Sequence, residues 1–358
     1  MYVKRLMLKN FRCYEELDVE LSPHINIIHG KNAQGKTNLL EAVYYCATGR
    51  SHRTSYDKEC IRYDQSEAMI KIWYEKYKEE QLEIHIRKNG RKSIAVNGYP
   101  ARRINELFGC FQVVLFSPED LSLIKSGPAK RRKFMDMEIC QVDPVYLYQL
   151  QQYSKVLRQR NQLLKEIAKK AATKDTIFAW DEQLVSYGVK IMERRRQFTE
   201  QLRQYTSRIH RQITHGEETL SITYENNVPI AASDFQRKLE EDLARDIRFG
   251  STASGPHHDD LAMWINGADV RVYGSQGQQR TTALSMKLAE LSMMKEETKY
   301  SPVLLLDDVM SELDQERQWH LAQYIQENQT ILTCTGIEDS IRRLPAGKVL
   351  EVRKGKIV

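Results

Sequence analysis

The sequence predicts an α/β protein in which two strand-containing parts are separated by a helical insertion. Alternating polar and apolar residues, typical of strands, recur through residues 2–96, and a continuous apolar run covers residues 303–306. Residues 145–213 are instead polar, nearly free of proline and glycine, and carry apolar side chains three or four residues apart. This spacing predicts an antiparallel helical hairpin, a short coiled-coil-like arm inserted between two halves of one domain. Two ordinary core helices of the main domain are the alternative.

The composition limits what the chain can be. Its 358 residues are 41% hydrophobic and 28% charged, which allows a large core and about two domains. The net charge of +6 permits a nucleic-acid partner without requiring one. The six cysteines form no C-x-x-C pair and are expected to be reduced thiols. Because there is neither a signal-peptide core nor an apolar run of membrane-spanning length, we expect a cytoplasmic protein without a membrane partner.

The first half begins with two alternating strands, residues 2–9 and 14–21, and a β-branched run before Gly30. Residues 30–37 then form the pattern G-x-x-x-x-G-K-T before a predicted helix, the context that a phosphate loop requires. The glycines let successive N–H groups face a phosphate, and the helix adds its positive N-terminal dipole. Lys36 is expected to reach the β- and γ-phosphates, and Thr37 to hold Mg²⁺. The predicted ATP-binding residues of this loop are Gly30, Lys31, Asn32, Ala33, Gln34, Gly35, Lys36 and Thr37.

Further strands are predicted at residues 68–74, 81–87, 92–96 and 111–115, with Asn89-Gly90 as a hairpin turn. The character of the chain changes at the basic run that starts at residue 130. We therefore divide it into residues 1–130, a helical part at 131–245, and residues 246–358. Two basic clusters are candidates for contacts with DNA phosphates, with solvated helix faces as the alternative. They comprise Lys130, Arg131, Arg132 and Lys133, and Arg194, Arg195 and Arg196.

Strands resume in the second half near residues 220–224, and a hairpin about Asn266-Gly267 is predicted to join residues 261–265 to 270–272. A Ser-Gln-Gly-Gln turn then opens a long helix. A hydroxyl, a glycine and a helix N-terminus suit a γ-phosphate, so Ser275, Gly277 and Gln278 are candidate ATP-binding residues. An ordinary serine N-cap is the alternative.

The apolar strand at residues 303–306 delivers Asp307 and Asp308 at its C-terminal end, where open α/β sheets bind ligands. Asp307, with Thr37, is predicted to hold Mg²⁺, and Asp308 to polarise the attacking water. An aspartate helix cap is the alternative. Another buried strand at residues 331–335 and a hairpin-like tail complete the second half.

This order of motifs, followed by Ser311-Glu312-Leu313-Asp314, resembles the head of ABC-type ATPases, and the last four residues resemble their D-loop. The N-terminal residues 8–14 resemble SMC-like repair and chromosome ATPases. Three further stretches are similar to hallmarks of the RecF family of bacterial recombination mediators, so the resemblance covers essentially the whole chain. These stretches are Phe116–Leu121, Arg131–Asp136 and Ser254–Asp260.

The resemblance implies an ABC-type P-loop ATPase head with an inserted antiparallel helical arm, and ATP and Mg²⁺ as cofactors. It implies an ATP-dependent homodimer on double-stranded, gapped or single/double-strand junction DNA, which loads recombinase together with RecO and RecR. Lys36 and Asp308 take the catalytic roles by position, Ser275 acts in trans, and Gln112 is expected to be the Q-loop residue. A transporter ATPase subunit is the alternative function.

Two departures from the ABC pattern predict a weak ATPase in which hydrolysis acts as a switch. Asp308 stands where many ABC ATPases have a glutamate, and Thr333–Gly336 carries no histidine at the switch position. The pair His257-His258, followed by Asp259-Asp260, is expected to have a structural role at the arm–head junction rather than to bind a metal.

Overall fold

The computed structural model describes residues 1–310, 313–336 and 346–358. Two of the four predicted D-loop residues, Ser311 and Glu312, lie outside the described residues. The first part of the chain is mostly strands, in the order β1 (Tyr2–Phe11), β2 (Tyr14–Glu20), β3 (Ile25–His29), α1 (Lys36–Thr48), β4 (Glu67–Glu75), β5 (Glu79–Arg87), β6 (Ser93–Val96), β7 (Tyr99–Pro100) and β8 (Val113–Phe116).

A mainly helical part follows, made of α2 (Leu121–Lys125), α3 (Pro128–Val142), α4 (Pro144–Ala168), α5 (Ile177–Ile213), β9 (Leu220–Glu225), α6 (Ala232–Phe249), β10 (Asp260–Ile265), β11 (Ala268–Asp269) and α7 (Val270–Tyr273). The last part returns to the first, with α8 (Gln276–Thr298), β12 (Val303–Asp307), α9 (Gln315–Glu327), β13 (Thr330–Cys334), β14 (Ala346–Arg353) and β15 (Lys356–Ile357).

The central sheet joins the two ends of the sequence. Its strand order is β15-β14-β3-β13-β12-β8, and the neighbours from β14 to β8 all pair in parallel. The C-terminal ends of β3, β12 and β13 therefore meet at one edge, where α/β sheets place their ligands. An antiparallel sheet, β2-β1-β4-β5-β6-β7, and a small sheet, β11-β10-β9, complete the strands of the described residues.

Alternating side chains of the central sheet face two different cores. One face of β12, with Val303 and Leu305, packs with α1 and the antiparallel sheet. The other face, with Leu304 and Leu306, packs with α8 and the helical part. Burial on both faces explains why β12 reads as a continuous apolar run, as parallel strands do.

The helical hairpin is confirmed. Asp143 pairs with Arg194 and Arg160 pairs with Asp181, so α4 and α5 run antiparallel. However, α5 also packs on α8 and β9 within the same core as the central sheet. The second helix of the hairpin is thus part of the main core along much of its length.

The domain limits predicted at residues 130 and 245 fall inside α3 and α6, respectively. One predicted element needs correction. The Asn266-Gly267 turn has positive φ at both residues, as predicted for a tight hairpin. Residues 270–272, however, lie in the helix α7 because the Asp269 carboxylate caps it by accepting from the Arg271 N–H.

Candidate nucleotide-binding site

The phosphate loop connects β3 to α1 and is shaped by two glycines. Gly30 has φ of 152°, and a Cβ there would lie 2.4 Å from the Val352 carbonyl oxygen. Gly35 has φ of 114°, and a Cβ there would lie 2.5 Å from Cys13 Sγ. Gly35 also offers no side chain to cap α1, so the first N–H groups of that helix are open to an anion.

Lys36 holds its ammonium group against this loop. The residue is only 4% exposed, and Nζ donates to the carbonyl oxygens of Gly30 at 2.8 Å and Lys31 at 3.3 Å. Lys31 and Asn32 are exposed, and the main-chain groups of these two residues are the ones that can contact a ligand. A cation fixed in a loop of open N–H groups has the chemistry of a phosphate site.

Thr37 and Asp307 meet at the C-terminal edge of the sheet although 270 positions separate them. Thr37 Oγ1 donates to Asp307 Oδ1 at 2.9 Å, and Thr333 Oγ1 donates to the same oxygen at 2.8 Å. Hydroxyl and carboxylate oxygens are the donors that Mg²⁺ prefers, and Mg²⁺ usually takes its other ligands from phosphates and water. The pair therefore fits the predicted Mg²⁺ site, with Thr333 as a support that sequence reasoning did not assign.

Asp308 follows directly and is oriented differently. Its φ is 51°, and its N–H donates to Thr333 Oγ1 at 3.0 Å. Burial raises the pKa of the Asp308 carboxyl, the charge of Asp307 raises it further, and the Lys36 ammonium acts in the opposite direction. A half-buried carboxylate beside the metal position is suited to accept a proton from water.

The Ser275 turn begins α8 with a complete capping box. Ser275 Oγ accepts from the Gln278 N–H at 3.2 Å, and Gln278 Oε1 accepts from the Ser275 N–H at 2.9 Å. Ser275 is exposed. A Cβ on Gly277 would meet nothing within 3.7 Å, so the packing of its own chain does not require a glycine there. A helix cap and a ligand contact are both compatible with the geometry of this turn.

Gln112 is not at the site. It precedes β8, and its carbonyl oxygen accepts from the N–H of Val303 at the start of β12. That is the edge of the sheet opposite the phosphate loop, so the expected Q-loop role is wrong. The residue that follows β8 at the ligand-binding edge is Ser117.

The whole chain matches proteins of known families. A family model described as the RecF/RecN/SMC N-terminal domain matches residues 2–341. A curated relative from Lachnoclostridium phytofermentans, named DNA replication and repair protein RecF, is 48% identical over 359 residues, which span all of this chain and 99% of the relative. The chain belongs to the RecF family.

Solved structures agree with this RecF assignment. One of the recombination mediator protein RecF-ATP in the RecFOR pathway has a TM-score of 0.94 and 36% identity, and the match covers 100% of this chain and 97% of the other. An Smc head domain from Pyrococcus furiosus has a TM-score of 0.58 at 19% identity, covering 100% and 96% of the two chains, a likeness of fold alone. The predicted ABC-type head and the role in DNA replication and repair are confirmed, and these relatives give no support to a transporter subunit.

Two of the seven basic candidates for DNA contact are internal. Arg131 is buried and bidentate on Asp260, at 2.6 and 2.8 Å. Arg195 is buried between Asp136, at 2.9 Å, and Asp259, at 3.1 Å. A guanidinium engaged in this way is not available to a DNA phosphate, so we withdraw both as DNA contacts.

The other five basic candidates differ in how far they are engaged. Arg132 donates to the Asp259 carbonyl oxygen at 2.7 Å, and Arg194 bridges Asp143 and Glu297. Only Lys130, Lys133 and Arg196 of the seven are exposed. These three are the candidates that can reach a phosphate without first breaking a contact seen here.

The stretch around His257 makes buried contacts with α5 and β9 of this RecF-family protein. Asp259 accepts from Arg195, from the Tyr224 hydroxyl and from the Asn227 N–H. Burial lowers the pKa of His257 to about 4, which keeps its ring neutral. In residues 1–310, 313–336 and 346–358, no group of three or more His, Cys, Asp or Glu is arranged to hold a metal ion. The structural role at the arm–head junction stays a prediction.

The described helices do not suggest a membrane span. None of them combines sufficient length with sufficient apolar character to cross a bilayer.

Proposed function

We propose that this protein is an ATP-switched DNA clamp of recombinational repair and replication-fork maintenance. Two copies bind ATP and Mg²⁺, dimerise on gapped or junction DNA in the cytoplasm, and help load recombinase with RecO and RecR. The similar solved structure of RecF-ATP in the RecFOR pathway supports both the nucleotide and the partners. The DNA-repair names of the curated relatives support the substrate.

One observation carries the proposal. The phosphate loop, Thr37 and Asp307 are already assembled within one chain, whereas Ser275 is exposed on the first turn of α8. Gly277 has no packing reason in its own chain, since the nearest atom to an added Cβ would lie 3.7 Å away. Both features suit a turn that meets a γ-phosphate held by a second copy.

The residues of the nucleotide half divide the chemistry between them. Lys36 exchanges its carbonyl contacts for β- and γ-phosphate oxygens. Thr37 and Asp307 would hold Mg²⁺, which would supply positive charge to stabilise the phosphates. Asp308 orients the water and accepts its proton. The shorter aspartate, and a threonine-rich segment in place of a switch histidine, favour slow hydrolysis that times the opening of the dimer.

DNA contact is proposed for a cationic surface formed by Arg50, Lys130 and Lys133, which we call the α3 surface. All three residues are exposed. Burial lowers the pKa of the Lys133 ammonium, and the charges of Lys130 and Arg50 lower it further. Since like charges are held together here, a phosphate that neutralises them is favoured. Arg196 is a second exposed candidate on α5.

Analytical ultracentrifugation with and without ATP, Mg²⁺ and gapped duplex tests this function. We expect a monomer without nucleotide, a dimer with ATP, and a more stable dimer on DNA. Ser275→Arg should bind ATP as a monomer and fail to dimerise. An ATP-bound dimer of Ser275→Arg would contradict the trans arrangement, and a parental protein that stays monomeric with ATP would contradict the clamp.

A further inference from the structure

A chain of hydrogen bonds connects the Ser275 turn to the helical lobe. Gln278 Nε2 donates to Glu218 Oε1 at 3.0 Å, and Glu218 Oε2 lies 3.0 Å from His210 Nε2. His210 Nδ1 in turn lies 3.1 Å from Ser285 Oγ, which returns the chain to α8. His210 is fully buried at the C-terminal end of α5, and Glu218 lies between α5 and β9.

The donors and acceptors of this chain can be assigned from chemistry. Ionised Glu218 can only accept, so it receives one N–H from Gln278 and one from His210. If the ring is neutral and donates from Nε2, His210 Nδ1 accepts from the Ser285 hydroxyl. Burial lowers the pKa of His210 and so favours that neutral form, although Glu218 acts in the opposite direction.

This assignment fixes the orientation of the Gln278 amide. Because its NH₂ group must face Glu218, its oxygen must face the Ser275 N–H, which is the contact observed. The Gln278 N–H meanwhile donates to Ser275 Oγ. Because Ser275 Oγ already accepts from the Gln278 N–H of its own helix, its hydroxyl proton is directed away from that N–H, and Ser275 is exposed.

We propose that Glu218 and His210 are positioning residues that hold the Ser275 turn so that its hydroxyl donates outward to the γ-phosphate of a second copy. Neither residue touches nucleotide. They act through Gln278, whose side-chain amide would be free to rotate without its contact to Glu218. The expected effect on association rests on the proposed ATP-dependent dimer, whereas the positioning of the Ser275 turn is a property of the single chain.

The single-chain part is tested by hydrogen exchange without nucleotide. In Glu218→Ala the Ser275 amide should exchange about tenfold or more faster than in the parental protein, since its acceptor is no longer fixed. Glu217→Ala is the matched control, because Glu217 is the exposed neighbour and should leave exchange unchanged. Equal protection of the Ser275 amide in the parental and Glu218→Ala proteins overturns the proposal, whatever the dimer does.

The functional part is tested by ATP-dependent association and by mixing. Glu218→Ala should bind ATP with parental affinity but need about tenfold or more protein to dimerise. His210→Leu should behave alike, and His210→Gln should recover association because its amide can still donate to Glu218. A Glu218→Ala protein that dimerises at the parental concentration overturns the inference, while parental dimerisation in the same series keeps the proposed function intact.

Mixing separates positioning from simple loss of folding. Glu218→Ala retains a phosphate loop, and Lys36→Ala retains a Ser275 turn, so together they should form one working site and associate with ATP. Glu218→Ala mixed with Ser275→Arg offers only a mispositioned or a blocked turn and should remain monomeric at the concentration at which the parental protein dimerises. Failure of the first mixture, or association of the second, contradicts a positioning role.

Discussion

The two halves of the proposed composite site are built in different ways. The phosphate-loop half is assembled by contacts across the sequence, since Thr37 and Thr333 both donate to Asp307, and Lys36 is almost wholly buried. The Ser275 half is a local helix cap on an exposed turn, supported from beneath by Glu218. The first half is thus complete within a single chain, whereas the proposed role of the second half requires a second copy.

Lys36→Ala should break the first half with the largest effect. It removes at least two charge-assisted contacts to phosphate, each contributing about 1.5–3 kcal/mol, so ATP affinity should fall about 10²-fold or more. Titration calorimetry measures the change. Lys31→Ala is the matched control, because that side chain is exposed and its main-chain carbonyl remains. Unchanged affinity in Lys36→Ala would remove Lys36 from the site.

Asp308→Asn should separate hydrolysis from binding within the same half. The amide keeps the shape but cannot take a proton from water, so turnover should fall by about 10²-fold or more while ATP and Mg²⁺ still bind. The dimer should then persist longer on ATP and DNA. Asp307→Asn should instead weaken Mg²⁺-dependent binding itself. Steady-state turnover and dimer lifetime of the two variants, compared side by side, decide between these roles, and parental turnover by Asp308→Asn would exclude Asp308.

Exposed and buried basic residues should likewise differ in their effect on DNA binding. Lys130→Ala/Lys133→Ala should lower DNA affinity about tenfold and reduce the slope of log affinity against log salt by about two, because two phosphate contacts are lost. Fluorescence anisotropy over a salt series measures both. Arg195→Ala is unsuitable for this test because it leaves the carboxylates of Asp136 and Asp259 unpaired. Breaking such a buried ion pair costs about 3–5 kcal/mol of stability. An unchanged salt slope in the double variant would exclude the α3 surface.

The last contrast concerns the segment around His257 that packs against α5. His257 has a folded-state pKa of about 4, below its ordinary value near 6.5, so the native state binds fewer protons than the unfolded state between these values. Stability should therefore fall as pH drops from about 6.5 towards 4, by up to about 1.4 kcal/mol per pH unit. His257→Gln should flatten this slope in denaturant titrations, and exposed His258→Gln should not. The same slope in both variants would contradict the assignment.

The strength of sequence prediction differed between the two halves for a physical reason. The phosphate loop and the Asp307-Asp308 strand carry fixed spacings and obligatory glycines, so both could be located from residue types alone. The contact of Thr333 with Asp307 depends on which strands become neighbours, and a single sequence does not specify strand order. Gln112 was misplaced because a residue near a strand can lie at either edge of the sheet.

The basic clusters show the same limit. Arg131, Arg195 and Arg196 look equivalent in sequence, yet two are buried in ion pairs and one is exposed. Only the approach of Asp260 and Asp259 from about 60 to 130 positions away decides which cations are internal. Glu218 likewise gave no signal, because its partner Gln278 is 60 residues distant.

Mixing two defective variants tests the central claim most directly. Lys36→Ala lacks a working phosphate loop, and Ser275→Arg lacks a working turn, so each alone should remain monomeric with ATP in sedimentation velocity. Together they contain one intact pair of halves, and the account predicts a heterodimer that forms only when ATP and Mg²⁺ are present. If the mixture stays monomeric while the parental protein dimerises, or if either variant dimerises alone, the composite site is contradicted.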